Sequence, residues 1–458
     1  MFRAVTARAH RIAGVAVLAL RASLRTKVVA ALVALLAVCV LVVPAVVKGD
    51  GTPSGEQHIL LSYTLGFAFG ILCLATLWAA CALFAAEIDS ERLSLSAVKP
   101  VRAADFWAGK WLALLILNAA LISAVYAGVY AQVTWRFYRH GGEEQAEWPV
   151  SRRVTRPVLP TPREEARQVY AQMREKKVLP EGLSERVILR TLEEKAQEKH
   201  DVINPGEQVR WRFRLARPVR EGEPVTVQVK FDTEFSTRAQ VKGVCRLSCR
   251  ERPEKTVEVP LDDFTQNAIE FVVDTRAFAL EGRAKEGSPL GVPASRADTG
   301  ELQEFELTFA HTGDPKRASA LLVRFRQDVS VLTPGGTFEA NLARAAVVQW
   351  SVLALLAAFG LTLSACFSLP VAAFVATVLL VLTMVGNSVV EVVSAEDEQA
   401  WQNRIGIWVS RGVHEVSLHA MQAEPLTALT RGERIEGGVL AASLAWNVVL
   451  LPLLFAVM

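Results

Sequence analysis

Six stretches of the chain are almost continuously apolar, and the polar residues crowd between them. Lys27 to Val47, Ile59 to Ala86, Phe106 to Val133, Ala345 to Phe367, Leu369 to Val393 and Gly438 to Met458 each run to about 20 residues or more, the length a helix needs to cross a ~30 Å hydrocarbon layer. One such run could be a buried helix of a soluble protein, but six predict a bundle of transmembrane helices. The first run is long and begins well inside the chain, with no small-residue cleavage site after it, so it is expected to be retained rather than removed as a signal peptide.

Ahead of that run, Phe2, Val5, Ala9, Ile12 and Ala16 recur at three- and four-residue spacing with Arg3, Arg8 and Arg11 among the other positions. Residues 1–26 therefore suit an amphipathic elbow helix on the membrane surface, or else a basic tail that only sets topology. The short loops fix a direction. Arg21, Arg25 and Lys27 join the elbow arginines before the first span, and Arg92, Lys99, Arg102 and Lys110 surround the connection of spans two and three, whereas the first external loop offers only Lys48. The amino terminus is expected to be cytoplasmic, which places residues 135–344, after the third span, and 394–437, before the last, outside.

The pattern changes completely in the insert. Four prolines break its first part, at Pro149, Pro157, Pro160 and Pro162, and charge-rich helical pieces follow over residues 162–199. From Glu207 the apolar period becomes two. Val209 to Leu215, Val225 to Phe231, Ala239 to Cys249, Thr256 to Val259, Ala268 to Val273, Glu304 to Phe309 and Leu321 to Val331 predict seven short strands and hence a β-sandwich over residues 207–331. Arg210, Arg212 and Arg214 alternate with Trp211, Phe213 and Leu215. That stripe resembles an anion-binding surface, but the solvated face of an amphipathic strand is the preferred reading. In the second external loop, the stretch Ile405 to Met421 predicts a short interfacial helix.

Composition narrows the chemistry. Of 458 residues, 51% are hydrophobic and 21% charged, with a formal net charge of +3, so nothing in the balance points to nucleic acid. Cys39, Cys73, Cys81 and Cys366 lie in apolar runs and read as small core hydrophobes. Cys245 and Cys249 fall on one face of one predicted strand, roughly 13 Å apart, too far to bridge each other without a bulge or turn. His414, His419 and the acidic run Glu396 to Glu398 are too isolated to suggest a metal site. No phosphate-binding loop and no hydrolase or metalloprotease motif occurs, so no catalytic, cofactor-binding or metal residue is assigned. Asn118, Gln349, Asn387, Glu391 and Asn447 are the sparse polar residues of the spans, suited to hydrogen bonds between helices.

The most informative segment joins spans two and three. Glu87 ends the second span, Arg92 follows, and Lys99-Pro100-Val101-Arg102 leads through Phe106, Gly109 and Lys110 into the third. This arrangement resembles the type-2 ATP-binding-cassette permeases, in which an acidic residue, an Arg and a Lys-Pro-Val-x-Arg-x-x-Phe-x-x-Gly-Lys stretch occupy the same places. The six-span count, the elbow and the sequence Pro334 to Asn341 before the fourth span fit the same family. The departure is the insert of about 200 residues, where members of that family commonly have short loops.

The resemblance implies a permease subunit of an exporter or mechanotransmitting complex in the bacterial cytoplasmic membrane. It implies a dimer with a second permease subunit, and separately encoded ATPase subunits that hold ATP and magnesium and dock on the loop of residues 87–110. Glu87, Arg92, Lys99, Pro100, Arg102, Phe106, Gly109 and Lys110 would then be the coupling residues, and the chain itself would be no enzyme. The other reading is a membrane-anchored scaffold or sensor whose external β-domain binds a protein partner.

Overall fold

The computed structural model describes residues 2–47, 60–89, 102–139, 151–158, 162–175, 185–219, 223–233, 239–250, 252–265, 268–278, 302–313, 319–324, 328–390 and 425–457. Two compact units emerge, one formed by Met1–Ser151 with Gly336–Met458 and the other by Arg152–Gly335.

The first unit is helical. It opens with α1 (Phe2–Leu24), α2 (Lys27–Val46), a π-helical turn Leu60–Thr64 continuous with α3 (Leu65–Asp89), and α4 (Ala103–Arg139). The chain then passes through the second unit, which holds α5 (Pro162–Glu175) and α6 (Glu185–Asp201). It returns as α7 (Phe338–Cys366), α8 (Leu369–Val390), α9 (Pro425–Thr430) and a last helix made of α10 (Gly437–Leu444), a π-helical turn Ala445–Leu450 and α11 (Leu451–Val457).

Among the described residues, five helices are long and apolar enough to cross a membrane: Lys27–Val46, Leu60–Leu83, Ala103–Arg139, Phe338–Cys366 and Gly437–Ala456. They match five of the six predicted runs, as in a multi-pass membrane protein. In the place of the sixth run stands α8, whose apolar stretch among the described residues, Leu369–Val381, is shorter. The predicted interfacial helix, His414, His419, Glu391 and the acidic run 396–398 lie outside the described residues, as does the Asn387 side chain.

Several polar groups inside this unit find partners across helices, which an apolar surround favours. Pro44 has no N–H to give the Val40 carbonyl one turn back, and that carbonyl instead accepts from Gln132 Nε2 on α4 at 2.6 Å. Arg136 Nη2 donates to the Pro44 carbonyl at 3.0 Å. Gly360 lets α7 approach α3 so closely that a Cβ there would stand 2.8 Å from Ala80 Cβ and 3.0 Å from the Leu77 carbonyl oxygen. At the start of α7, Thr337 accepts from the Ala340 N–H as an N-cap. The buried Asn341 holds the segment before the last helix from both ends of its amide, donating to the Glu433 carbonyl and accepting from the Ile435 N–H, each at 2.8 Å.

The second unit is a sandwich of two four-stranded sheets, β1–β10–β4–β7 and β3–β8–β5–β6. The strands are β1 (Ser151–Thr155), β3 (Gln208–Val219), β4 (Pro224–Lys230), β5 (Gln240–Cys249), β6 (Arg252–Phe264), β7 (Ala268–Asp274), β8 (Leu302–His311) and β10 (Val329–Gly336). Trp211, Phe213, Phe305, Phe309, Cys245 and Leu247 of one sheet share a core with Val225, Val227, Val229, Val329 and Val331 of the other. Two features differ from the sequence expectation. The last predicted strand is divided in two, and between the pieces Asp328 N–H donates to the Arg324 carbonyl at 2.8 Å and Arg324 N–H to Asp328 Oδ2 at 3.0 Å. Its first piece, β9 (Leu321–Leu322), pairs with the short β2 (Val202–Ile203), and the second is β10. The other difference is β1, which forms within the proline-broken lead.

Outside the sandwich, the arginine stripe is neutralised across strands. Arg210 and Arg212 approach Glu306 at 3.1 and 3.6 Å, and Glu304 receives Arg250 at 2.7 Å and Arg214 at 3.7 Å. The hydrogen bond from Arg250 holds the Glu304 carboxyl below the usual carboxylate range. The stripe is thus a cross-strand ladder on a solvated face. Cys245 and Cys249 lie in the core and form no disulfide, and burial pushes Cys245 up to about 12.

Candidate functional site

Of the sequence-assigned coupling residues, Arg92, Lys99 and Pro100 and the side chain of Glu87 lie outside the described residues. The remaining four, Arg102, Phe106, Gly109 and Lys110, stand at the start of α4, where three elements meet: the amphipathic α1, the end of α3 and the first two turns of α4. The helix begins directly after Arg102, whose carbonyl takes the N–H groups of Asp105 and Phe106 at 2.9 and 3.1 Å.

Asp105 is the anchor that sequence reasoning passed over. Its side chain is wholly buried and accepts from Arg8 Nε of α1 at 2.6 Å, while Arg11 Nη2 stands 3.6 Å away. An acid in the first turn of a helix is ordinarily explained by the helix dipole, which hides its second role from a local reading. Arg8 and Arg11 lie three apart and so share one side of α1. Losing both arginines would leave a buried carboxylate uncompensated; such a loss costs about 3 kcal/mol in a fully buried pair, and less here because Arg8 is 51% exposed.

Gly109 makes the approach possible. A Cβ on it would meet Val15 Cβ at 2.6 Å and the Ile12 carbonyl oxygen at 3.0 Å, so α1 lies directly on the backbone of α4. This contact and the ion pair involve successive turns of both helices, which fixes α1 in register as well as in distance.

Lys110 ties in the third element. It is buried, and its ammonium donates to the Leu83 carbonyl of α3 at 2.6 Å while standing 4.6 Å from the centre of the Phe106 ring. One residue on, Trp111 stacks on Trp107 at 6.0 Å and donates Nε1 to the Ala354 carbonyl of α7 at 2.9 Å. Short polar contacts thus tie α1 to α4, and α4 to α3 and α7, in addition to apolar packing. Among the described residues no three metal-ligating side chains gather.

No protein-family model, curated protein or solved structure matches the chain.

Proposed function

We propose that the chain is the membrane subunit of an ATP-binding-cassette exporter or a related mechanotransmitting complex, working as a dimer with separately encoded ATPase subunits. The observation that supports it most is the junction of α1, α3 and α4. Arg8 and Asp105, Gly109 and Val15, and Lys110 and Leu83 couple the two elements that flank the loop of residues 87–110 to a surface helix. A push on that loop from the cytoplasm would move all three together, and α7 through Trp111.

In this reading α8 continues as a sixth span and the amino terminus and residues 87–110 face the cytoplasm of a bacterium. The β-sandwich stands outside the cytoplasmic membrane, where it can meet a protein partner. ATP and its magnesium belong to the ATPase, and no residue of this chain does covalent chemistry. The full chain, purified from its native membrane under conditions that keep complexes intact, is expected to carry ATP hydrolysis with it through size-exclusion chromatography. Absence of that activity in an otherwise intact preparation would favour a passive scaffold or sensor that acts through its β-domain.

A further inference from the structure

Among the described residues, three buried hydrogen bonds join side chains of different long helices. Thr76 of α3 donates Oγ1 to Asn118 Oδ1 of α4 at 3.0 Å, Tyr126 of α4 donates to Gln349 Oε1 of α7 at 3.0 Å, and Asn447 Nδ2 donates to Ser351 Oγ of α7 at 3.2 Å. Asn447 sits in the π-helical turn Ala445–Leu450, a local widening of the kind that often accompanies function.

Asn118 and Gln349 use only part of their capacity. Both side chains are at least 97% buried, and among the described residues Asn118 Nδ2 and Gln349 Nε2 have no hydrogen-bond partner. Turning either amide over does not help, because the hydroxyl that each amide bonds, Thr76 or Tyr126, can serve one end of it at a time, as donor or as acceptor, and the other end is left over in both orientations. In an apolar surround with no solvent at hand, such a group carries the full penalty of desolvation unless something fills its place. The surroundings are also without charge. From Leu65 to Ala86, between Lys110 and Arg136, after Arg344 to the end of α7 and throughout the last helix the sequence has no acidic or basic residue.

We propose that Asn118 and Gln349 are the donor groups of an uncharged binding seam between α3, α4 and α7, which takes a neutral acceptor oxygen at each amide. Water supplies that oxygen, or else the ester carbonyl or hydroxyl of a bound lipid. A phosphate or carboxylate is disfavoured, because no cation stands by to offset its charge. The seam is independent of whether an ATPase drives the chain.

Replacing both partners of a bond by apolar groups of like shape separates the alternatives by sign. If the two contacts are only pairwise links between helices, the double variants Thr76→Val with Asn118→Leu, and Tyr126→Phe with Gln349→Met, remove an orphaned donor and leave the melting temperature of the full chain unchanged or raised. If the seam is occupied, each double variant loses the bound oxygen as well and melts lower by more than about 2 °C.

The measurement is made on delipidated protein in detergent and again in nanodiscs of native lipid extract. A fall in both media assigns the oxygen to water, and a fall only in nanodiscs assigns it to lipid. An unchanged or higher melting temperature in both overturns the proposal. The two double variants act at different helix pairs, α3 with α4 and α4 with α7, so either one decides the sign where the other does not fold.

Discussion

Gly109→Ala puts the packing of α1 on α4 to the sharpest test. The added methyl would lie 2.6 Å from Val15 Cβ, 2.7 Å from Val15 Cγ1 and 3.0 Å from the Ile12 carbonyl oxygen. Ordinary contact between carbon atoms is about 3.5–4.0 Å, so α1 must retreat by roughly 1 Å, and the carbonyl, being backbone, cannot rotate away. The Arg8 to Asp105 hydrogen bond, 2.6 Å long, would then stretch toward the limit of about 3.5 Å at which it ceases to count. Overpacking of this kind costs about 1–3 kcal/mol, which corresponds to a fall of roughly 2–10 °C in the melting of a unit of this size.

The assay is intrinsic-fluorescence melting of the detergent-solubilised chain, with limited trypsin digestion at Arg8 and Arg11 as a local readout. Faster cleavage there, together with the lower melting temperature, is expected. Val15→Gly in the same chain removes two of the three clashing atoms and should recover part of the loss, a coupling that independent sites would not show. Wild-type melting and wild-type cleavage in Gly109→Ala would refute the described contact.

The sandwich offers further tests. Gly243→Ala should destabilise it by about 1–3 kcal/mol in thermal melting, because the new Cβ would meet Phe309 Cζ at 2.6 Å and the Ala310 carbonyl oxygen at 2.8 Å and the fully buried Phe309 ring has nowhere to go. Glu304 is held below its usual range by Arg250, so its share of stability is present above the unfolded-state value and lost as pH falls through the folded one; Glu304→Gln should flatten the acid side of the pH–stability curve and leave the alkaline side unchanged. Cys245 and Cys249 are buried and form no disulfide, and Cys245 is pushed up to about 12, so thiol-alkylating reagents should modify neither at neutral pH until the unit is unfolded, and reducing agent should not alter its melting.

Elements that follow a local period were legible in the residues: five of the six apolar runs are helices of membrane-crossing length, and the alternating stretches form strands of the two sheets. The arginine stripe was also legible, since Arg210, Arg212 and Arg214 fall on the side opposite Trp211, Phe213 and Leu215 and meet Glu304 and Glu306. What escaped depends on residues distant in the chain. Asp105 looks like any acid opening a helix until Arg8, 97 positions away, comes against it. Gln132 looks like a stray polar residue until Pro44 frees the Val40 carbonyl it serves. Between β9 and β10, Arg324 and Asp328 bond to each other, a local pairing that alternation alone does not register.

The central claim is that the loop of residues 87–110 receives an ATPase, and affinity capture of that ATPase on the full chain tests it most directly. Glu87→Ala with Arg92→Ala removes charge from the proposed docking segment without shortening an apolar run. The matched pair Glu304→Ala with Arg324→Ala removes one charge of each sign from the β-unit. An ATP-hydrolysing subunit is expected to be retained by the wild-type chain and by the β-unit variant, and to be lost or several-fold reduced with the loop variant. Equal retention by both variants would contradict the docking assignment, and no ATPase on the wild-type chain would contradict the account as a whole.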